Sequence, residues 1–159
     1  MADQIFNISK GRFVEFYNRV ESNDPANAAL IVVVCKLSEV DATLIDYADL
    51  GALLAAPGNT EADFTNYARK VLTDVELAAL PAPDNANDKY NIDIPNQTWT
   101  AAGGATNNTT TKLIICYDAD TTGGTDSNII PISHYDFVAT TDGNDLTAKP
   151  HVDGICSAT

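Results

Sequence analysis

The amino-acid sequence predicts an α+β fold, mainly antiparallel β with a sandwich-like sheet, and with one or two helices from the N-terminal half. Helical spacing of apolar residues is clear only in the first sixty residues, whereas short apolar runs alternate with turn-forming stretches from residue 90 onward. The uncharged polar residues are mostly Thr, Asn and Ser, which favour strands and turns over long surface helices. With 159 residues the chain can bury a core of its own, and we predict a single domain over residues 1–159.

The first predicted element is a helix within "ISKGRFVEFYNRVES", residues 8–22, with Ser9 as its candidate N-cap. One apolar stripe at helical spacing consists of Phe13, Phe16, Tyr17 and Val20. A strand that carries Phe13 and Tyr17 on one face is the alternative, and "SNDPANA" ends the element in both cases.

The next elements are a strand and a second helix. "ALIVVVCKL", residues 29–37, is β-branched and apolar on both faces, which predicts a strand in the middle of a sheet. "DATLIDYADLGALLAA", residues 41–56, has leucines at helical spacing, with Asp41 as a plausible N-cap and "PGN" as a stop. The following segment is ambiguous, because its second half fits either a helix or a strand "YARKVL" followed by a turn.

A Pro/Asp/Asn linker, residues 81–90, separates this part from a strand-rich part. The predicted strands there are "YNIDIP", "QTWTAA", "TKLIICYD", "IIPISHYDFVATT" and a short C-terminal run. In "KLIICYD" both alternating faces are apolar, so we expect this strand to be covered on both sides. The Gly/Asn/Thr loop that precedes it contains no acid, base or nucleophile, which favours a contact or display surface held out by a rigid sheet.

The composition excludes several classes of protein. The net charge is −13 and the nine Lys and Arg residues do not cluster, which argues against nucleic-acid binding. No apolar run approaches the ~18 residues of a membrane span, and the N-terminus lacks a signal peptide, so no membrane partner is expected. Three widely spaced cysteines form neither a disulfide framework nor a zinc pattern, and Cys35 and Cys116 are expected to be buried free thiols.

The sequence contains only weak candidates for a metal-binding or catalytic site. In "DADTTGGTD", Asp118 and Asp120 resemble the start of an EF-hand loop, and Asp126 follows. The twelfth position is Ile129, where calcium needs a bidentate Glu, so a turn between two strands explains the same letters. His134 and Asp136 share a strand face without a marked nucleophile, and we expect a partly exposed strand histidine. The sequence therefore predicts no enzyme and no cofactor.

Five stretches of sequence, which together cover most of the chain, are "IFNISKGRFVEFYNRVESNDPANAALIVVV", "DATLIDYADLGALL", "FTNYARKVLTD", "IPNQTWTAAGG" and "KLIICYDADTTGGTDSNIIPISHYDF". In these stretches and in their order, the chain resembles a family of small virion proteins of tailed bacteriophages. The resemblance implies a structural component of the particle, first of all a head decoration (cement) protein. A head–tail connector, tail or fibre component is the alternative, and a carbohydrate- or calcium-binding adhesion module that uses residues 118–128 is a more distant one.

A decoration role implies a chain made in the bacterial host cytoplasm that ends on the capsid exterior. Its expected partners are the major capsid protein and further copies of itself, as a homo-oligomer such as a trimer. The expected contact regions are residues 1–8, 101–111 and 119–128. Trp99 is interpreted as either a core residue or an interface anchor. The individual contact candidates are Phe6, Ile8, Trp99, Asn107, Asn108 and Thr109.

Overall fold

The computed structural model describes residues 4–151 and 154–158 and confirms the predicted α+β class. Its α-helices are α1 (Phe13–Glu21), α2 (Asp41–Leu44) and α3 (Leu50–Ala55). Its strands are β1 (Gln4–Ile5), β2 (Ala29–Leu37), β3 (Thr60–Glu61), β4 (Lys70–Leu72), β5 (Tyr90–Ile92), β6 (Gln97–Trp99), β7 (Lys112–Asp118), β8 (Ile130–Asp136), β9 (Leu146–Ala148) and β10 (Cys156–Ala158). Two single-turn 3₁₀ helices lie at Asn7–Ser9 and Asp126–Asn128.

The main sheet has the strand order β1-β8-β7-β2-β3, and β4 pairs with β2 beside β3. All of these pairs are antiparallel. The longest ladder joins β2 to β7, from Ala29 opposite Asp118 to Cys35 opposite Lys112. β2 comes from before the residue 81–90 linker and β7 from after it, so the two parts of the chain build one sheet.

Both faces of the central strands are buried, as predicted for the two apolar runs. On one face, Leu113, Ile115 and Tyr117 join a cluster with the apolar stripe of α1 and with residues of the small antiparallel pairs β5–β10 and β6–β9. On the other face, Ile114 and Cys116 join a cluster with α2, α3 and Phe6. The sheet is therefore the middle layer of three.

The first helix is confirmed, but its start differs from the prediction. Arg12 occupies the N-cap position of α1 without a side-chain cap, and Ser9 belongs to the preceding 3₁₀ turn. Ser9 is buried, and its hydroxyl donates to the carbonyl of Pro131 at 2.6 Å. A hydroxyl in the core needs such a partner, which is why Ser9 ties the chain to β8 and does not cap the helix.

The single helix expected over residues 41–56 is divided into α2 and α3. Asp49 caps α3, because its carboxylate accepts a hydrogen bond from the amide of Ala52 at 2.7 Å. The amide of Leu50 donates to the carbonyl of Ile129, which fixes the start of α3 against the chain before β8. Asp41 is the first residue of α2 and not its N-cap, since its carboxylate is bound to Lys112.

The ambiguous segment after α3 contains a strand. Lys70 lies opposite Val32 and Leu72 opposite Leu30, so "YARKVL" ends in β4 on the edge of the main sheet. None of the helices in the described residues has the length and apolar character that crossing a membrane requires.

Candidate interaction surface

Three of the six individual contact candidates lie inside the molecule. Trp99 is 1% exposed and donates from Nε1 to the carbonyl of Ala68 at 2.8 Å, which confirms the core interpretation over the interface anchor. Phe6 is fully buried, because β1 lays the chain beside β8 and the Phe6 ring packs edge-on against His134. Asn108 is also buried. Burial leaves Phe6 and Trp99 almost no surface for a contact and leaves Asn108 little.

Asn108 has a structural task in the 101–111 loop. Its side-chain oxygen accepts from the amide of Asp63 at 2.8 Å, and its side-chain nitrogen donates to the Asp63 carboxylate at 2.9 Å. On the other side, its carbonyl accepts from the amide of Thr141 at 2.9 Å. Asn108 thus links the loop to two neighbouring segments at once.

The rest of the 101–111 loop is fixed in the same way. Gly103 donates to the carbonyl of Thr65, and Ala102 donates to that of Asn144, both at 2.9 Å. The side chain of Asn107 accepts from the amide of Gly104 at 2.7 Å. Short uncharged side chains let these backbones approach closely, so a loop without reactive groups becomes a rigid edge of the fold.

Asn107, Thr109 and Ile8 are the contact candidates that the structure leaves exposed. Asn107 and Thr109 lie in the 101–111 loop, and the Thr109 hydroxyl is 3.0 Å from that of Thr140. Ile8 lies in the 3₁₀ turn before α1. Of the expected contact region 1–8, residues 1–3 lie outside the described residues.

A further group of residues, some exposed and some buried, adjoins the 101–111 loop at the end of the sheet where β2 and β8 stop and β7 begins. We name it the Lys112 end and define it as Leu37, Val40, Asp41, Lys112, Asp136 and Val138. Leu37, Val40 and Val138 are 48%, 64% and 77% exposed, and they are three of the six large apolar side chains exposed in the described residues. Three large exposed apolar side chains on segments that lead to or from the partners of Lys112 make this end a candidate interaction site.

Lys112 is the centre of this end. It is 1% exposed, and its Nζ lies 2.6 Å from Asp41 Oδ1 and 2.5 Å from Asp136 Oδ1. Burial lowers the pKa of Lys112, but the hydrogen bonds that its ammonium donates to both carboxylates outweigh this effect and raise the pKa above the ordinary value. The lysine is therefore a fixed cation that holds the start of α2 and the end of β8 against β7.

Sequence reasoning missed this end for a physical reason. Leu37 and Val138 are the last large apolar residues of their runs, and nothing in the sequence marks the point at which the covering layer stops. The one available signal was Lys112 itself, because a lysine at the start of an apolar, doubly covered strand needs buried carboxylate partners. Asp41 and Asp136 lie too far along the chain for spacing to reveal them.

The opposite end of the sheet contains the three aspartates considered for calcium. Asp118 accepts from the amide of Asp120, and Asp120 accepts from the amide and hydroxyl of Thr122, which is the predicted turn chemistry. Asp126 points elsewhere and binds Arg69 through both oxygens, at 2.6 and 2.8 Å. No three His, Cys, Asp or Glu side chains in the described part of the chain are grouped to hold a metal ion.

His134, Cys35 and Cys116 are titratable side chains that lie in the core. His134 is fully buried against Phe6, so the expectation of a partly exposed histidine is wrong. Cys35 and Cys116 are buried free thiols as predicted, and burial raises the pKa of both, that of Cys35 to about 12.

A small apolar cavity of about 10 Å³ lies beside α1 and is lined by Phe13, Tyr17 and Leu30 among others. It has room for about one water molecule and is too small for a ligand.

No protein-family model, no curated protein and no solved structure matches the chain. Among the residues that the structure describes, the Lys112 end and the adjoining 101–111 loop form a surface suited to recognition. Such a surface can bind another macromolecule by shape and apolar contact, with the loop as a preformed rim.

Proposed function

We propose that the chain is a structural protein of a bacteriophage particle, a decoration protein that binds the capsid exterior and stabilises contacts between major capsid subunits. The observation that carries the proposal is the Lys112 end, where three large apolar side chains are exposed and where Cys35 and Ala139 are hydrogen-bonded to the rigid, uncharged 101–111 loop. The resemblance to small virion proteins, carried by residues 5–34 and 112–137 among others, supports the same assignment.

The charge of the molecule fits this role. A net charge of −13 keeps the chain off nucleic acid and keeps particles that carry it on their outside apart in solution. The energetic contribution comes from many copies, because a small apolar area buried at each site is multiplied over the shell. A rigid contact surface increases this contribution, since little conformational freedom is lost on binding.

The proposal is tested on particles purified with and without the chain. We expect the chain in many copies over the outer shell. We also expect particles that lack it to release their DNA at a lower temperature, and on dilution at an ionic strength at which complete particles stay intact. A single closed ring of copies at one vertex indicates the connector, tail or fibre alternative. Absence of the chain from washed particles overturns the virion role altogether.

A matched pair of variants connects the role to the surface. Val138→Asp places a charge on the Lys112 end, whereas Val75→Asp changes a valine that is equally exposed but lies in the segment after β4. We expect Val138→Asp to lower incorporation into particles at least tenfold, and Val75→Asp to leave it unchanged. Equal incorporation of both variants would show that the capsid contact lies on another face of the molecule.

A further inference from the structure

Lys112 is a buried amine in contact with two carboxylates. Its Nζ lies 2.6 Å from Asp41 Oδ1 and 2.5 Å from Asp136 Oδ1. We propose that Lys112 condenses with Asp41 to form an amide bond between their side chains, and that Asp136 transfers the protons. The site contains the groups that such a reaction needs, which are a nitrogen nucleophile, an acyl group and an acid–base group that reaches the nitrogen.

Three rigid elements bring these groups together. Lys112 begins β7 and lies directly opposite Asp136 of β8 in the antiparallel ladder. Asp41 begins α2, and Leu44 of the same helix is buried in the cluster that covers this face of the sheet. The fold therefore holds the amine against the carboxyl group. Groups held in contact in this way react as if at concentrations of about 10⁵–10⁸ M, which favours a condensation that is negligible between free side chains in water.

The condensation consumes no other reactant. A proton moves from the Lys112 ammonium to the Asp41 carboxylate, and the neutral amine attacks Cγ of Asp41, so that a C–N bond forms. The Asp136 carboxylate then takes a second proton from the nitrogen and passes it to the Asp41 hydroxyl. The C–O bond to this hydroxyl breaks and water leaves. The products are a secondary amide and one water molecule, and Asp136 is again a carboxylate.

Burial favours the amide over the ion pair. The side chains of Lys112 and Asp41 are 1% and 11% exposed, so both charges are held largely out of water, and the reaction replaces them with one neutral group. Asp136 is 32% exposed and remains a hydrated carboxylate. The raised pKa of Lys112 makes the neutral amine a minor form. The freshly folded chain therefore carries the ion pair, and the amide accumulates slowly.

A second ion pair in the same chain serves as an internal control. Lys36 Nζ lies 2.6 Å from Asp63 Oδ2, which is the same separation as in the pair of Lys112 and Asp41. The side chains of Lys36 and Asp63 are 29% and 62% exposed, so water stabilises their charges. We expect this pair to remain an ion pair.

The test is mass spectrometry of the purified full chain, so it does not depend on the proposed role in a particle. One sample is kept folded in neutral buffer at physiological temperature and another is kept in urea. We expect only the folded sample to lose about 18 Da over time, the mass of one water molecule. Trypsin does not cleave after an acylated lysine, so the product should be one branched peptide that joins residues 37–69 to residues 90–159.

Three variants, each checked for folding by circular dichroism, test the assigned roles. Asp136→Asn leaves the amine beside Asp41 but removes the proton transfer, and we expect the mass loss to slow about a hundredfold. Lys112→Arg keeps the positive charge without a nucleophilic amine and should lose no water. Lys36→Arg is the matched control and should lose water as fast as the unchanged chain.

The branched peptide, with slow formation in Asp136→Asn, supports the proposal. A folded chain that keeps its full mass and is cleaved after Lys112 overturns it, and this outcome requires no variant. The same holds for a water loss that fragmentation places at Asp142, where the Asp–Gly sequence can cyclise to a succinimide, or at Lys36 and Asp63. An equal rate in Asp136→Asn overturns the proton-transfer role of Asp136.

Discussion

Arg69 and Asp126 are joined by two parallel hydrogen bonds, 2.6 Å from Nη1 to Oδ1 and 2.8 Å from Nη2 to Oδ2. The same guanidinium binds both oxygens of Glu61, at 2.8 and 2.7 Å. Arg69 immediately precedes β4 and Asp126 opens the 3₁₀ turn before β8, so the pair ties the 119–128 loop to the far edge of the sheet. The Asp126 carboxylate thus fixes that loop by binding Arg69.

Asp126→Asn removes the charge from this pair and replaces one acceptor oxygen with a donor. Because Asp126 is partly exposed, solvent screens the loss, and we expect the free energy of unfolding in urea to fall by about 1 kcal/mol. Asp120→Asn is the matched control, because Asp120 is exposed and its carboxylate accepts hydrogen bonds from the neighbouring Thr122, and we expect a change within about 0.5 kcal/mol. If calcium raises the melting temperature and Asp126→Asn abolishes that rise, the anchor role is contradicted in favour of an ion site.

Acid should weaken the fold through Asp41 and Asp126. Hydrogen bonds from Lys112 lower the pKa of Asp41, and hydrogen bonds from Arg69 lower the pKa of Asp126, in both cases below the ordinary value of 3.8. A lowered pKa in the folded state means that the carboxylates stabilise the fold at neutral pH, and that this contribution is lost as the pH falls through the lowered values. We therefore expect the urea midpoint to drop as the pH is taken below about 4.

A double variant checks that assignment. Asp41→Asn together with Asp126→Asn should be less stable at pH 7 and should show a smaller decrease on acidification than the unchanged chain. An equally large decrease in the double variant would place the acid sensitivity in other carboxylates, such as Asp63, whose pKa Lys36 also lowers.

Lys112→Met should be among the most damaging single changes in the molecule. It leaves the Asp41 and Asp136 carboxylates facing each other without their cation, and breaking a buried pair in this way costs about 3–5 kcal/mol. Adding Asp41→Asn and Asp136→Asn to the same chain should recover part of that loss, because the uncompensated charges are removed. Lys10→Met, at an exposed lysine bound to Asn7, is the control and should change the stability little. Urea unfolding of the four chains distinguishes these outcomes.

Much of the fold could be predicted because it depends on local patterns. The β-branched run 29–37 and the doubly apolar run 112–118 can bury two faces only as central strands. The stripe from Phe13 to Val20 puts four apolar side chains on one helix face, which the alternative strand would divide between its two faces. The division between α2 and α3 was missed because the leucines keep helical spacing across it, while Asp49 offers a cap that competes with helix continuation. The burial of Phe6 and His134 depends on β1, a strand of two residues whose partner strand, β8, lies more than a hundred residues further along the chain.

In the folded protein, the two buried thiols, Cys35 and Cys116, should neither form a disulfide nor react with alkylating reagents. Cys116 lies opposite Ile31 and Cys35 opposite Lys112, four residues apart along the same ladder, which is about 13 Å. A disulfide requires Cα atoms within about 7 Å, so the two cannot be bridged. Burial raises the pKa of both thiols, which further suppresses the reactive thiolate.

Alkylation with iodoacetamide near pH 8, followed by peptide mass spectrometry, measures this directly. We expect Cys35 and Cys116 to remain unmodified in buffer and to react fully in urea. The Cys156→Ser variant, which retains only these two cysteines, should give no labelled species without denaturant. Rapid labelling of either cysteine in that variant would show that the central ladder opens far more often than its burial implies.

The rigidity of the 101–111 loop can be tested at Gly103. Its φ angle is +95°, and a Cβ added there would stand 2.2 Å from Asn107 Oδ1 and 2.8 Å from Thr141 Oγ1. Gly11 is the matched control, because its φ is +78° and a Cβ there meets nothing within 4 Å. We expect Gly11→Ala to cost about 1 kcal/mol through backbone strain alone, and Gly103→Ala to cost about 3 kcal/mol because crowding is added.

A second change separates crowding from backbone strain. Adding Asn107→Ala to Gly103→Ala removes the nearer obstructing atom, so it should recover part of the stability even though the Asn107 hydrogen bond to Gly104 is lost. Urea unfolding of the single and double variants gives the coupling energy. If the two changes are simply additive, the loop has room to shift, and the close packing of Gly103 against Asn107 is not what holds it rigid. If Asn107→Ala recovers part of the stability that Gly103→Ala loses, the close packing of Gly103 against Asn107 does hold the loop rigid. A rigid loop beside the Lys112 end could bind a partner with little loss of conformational entropy.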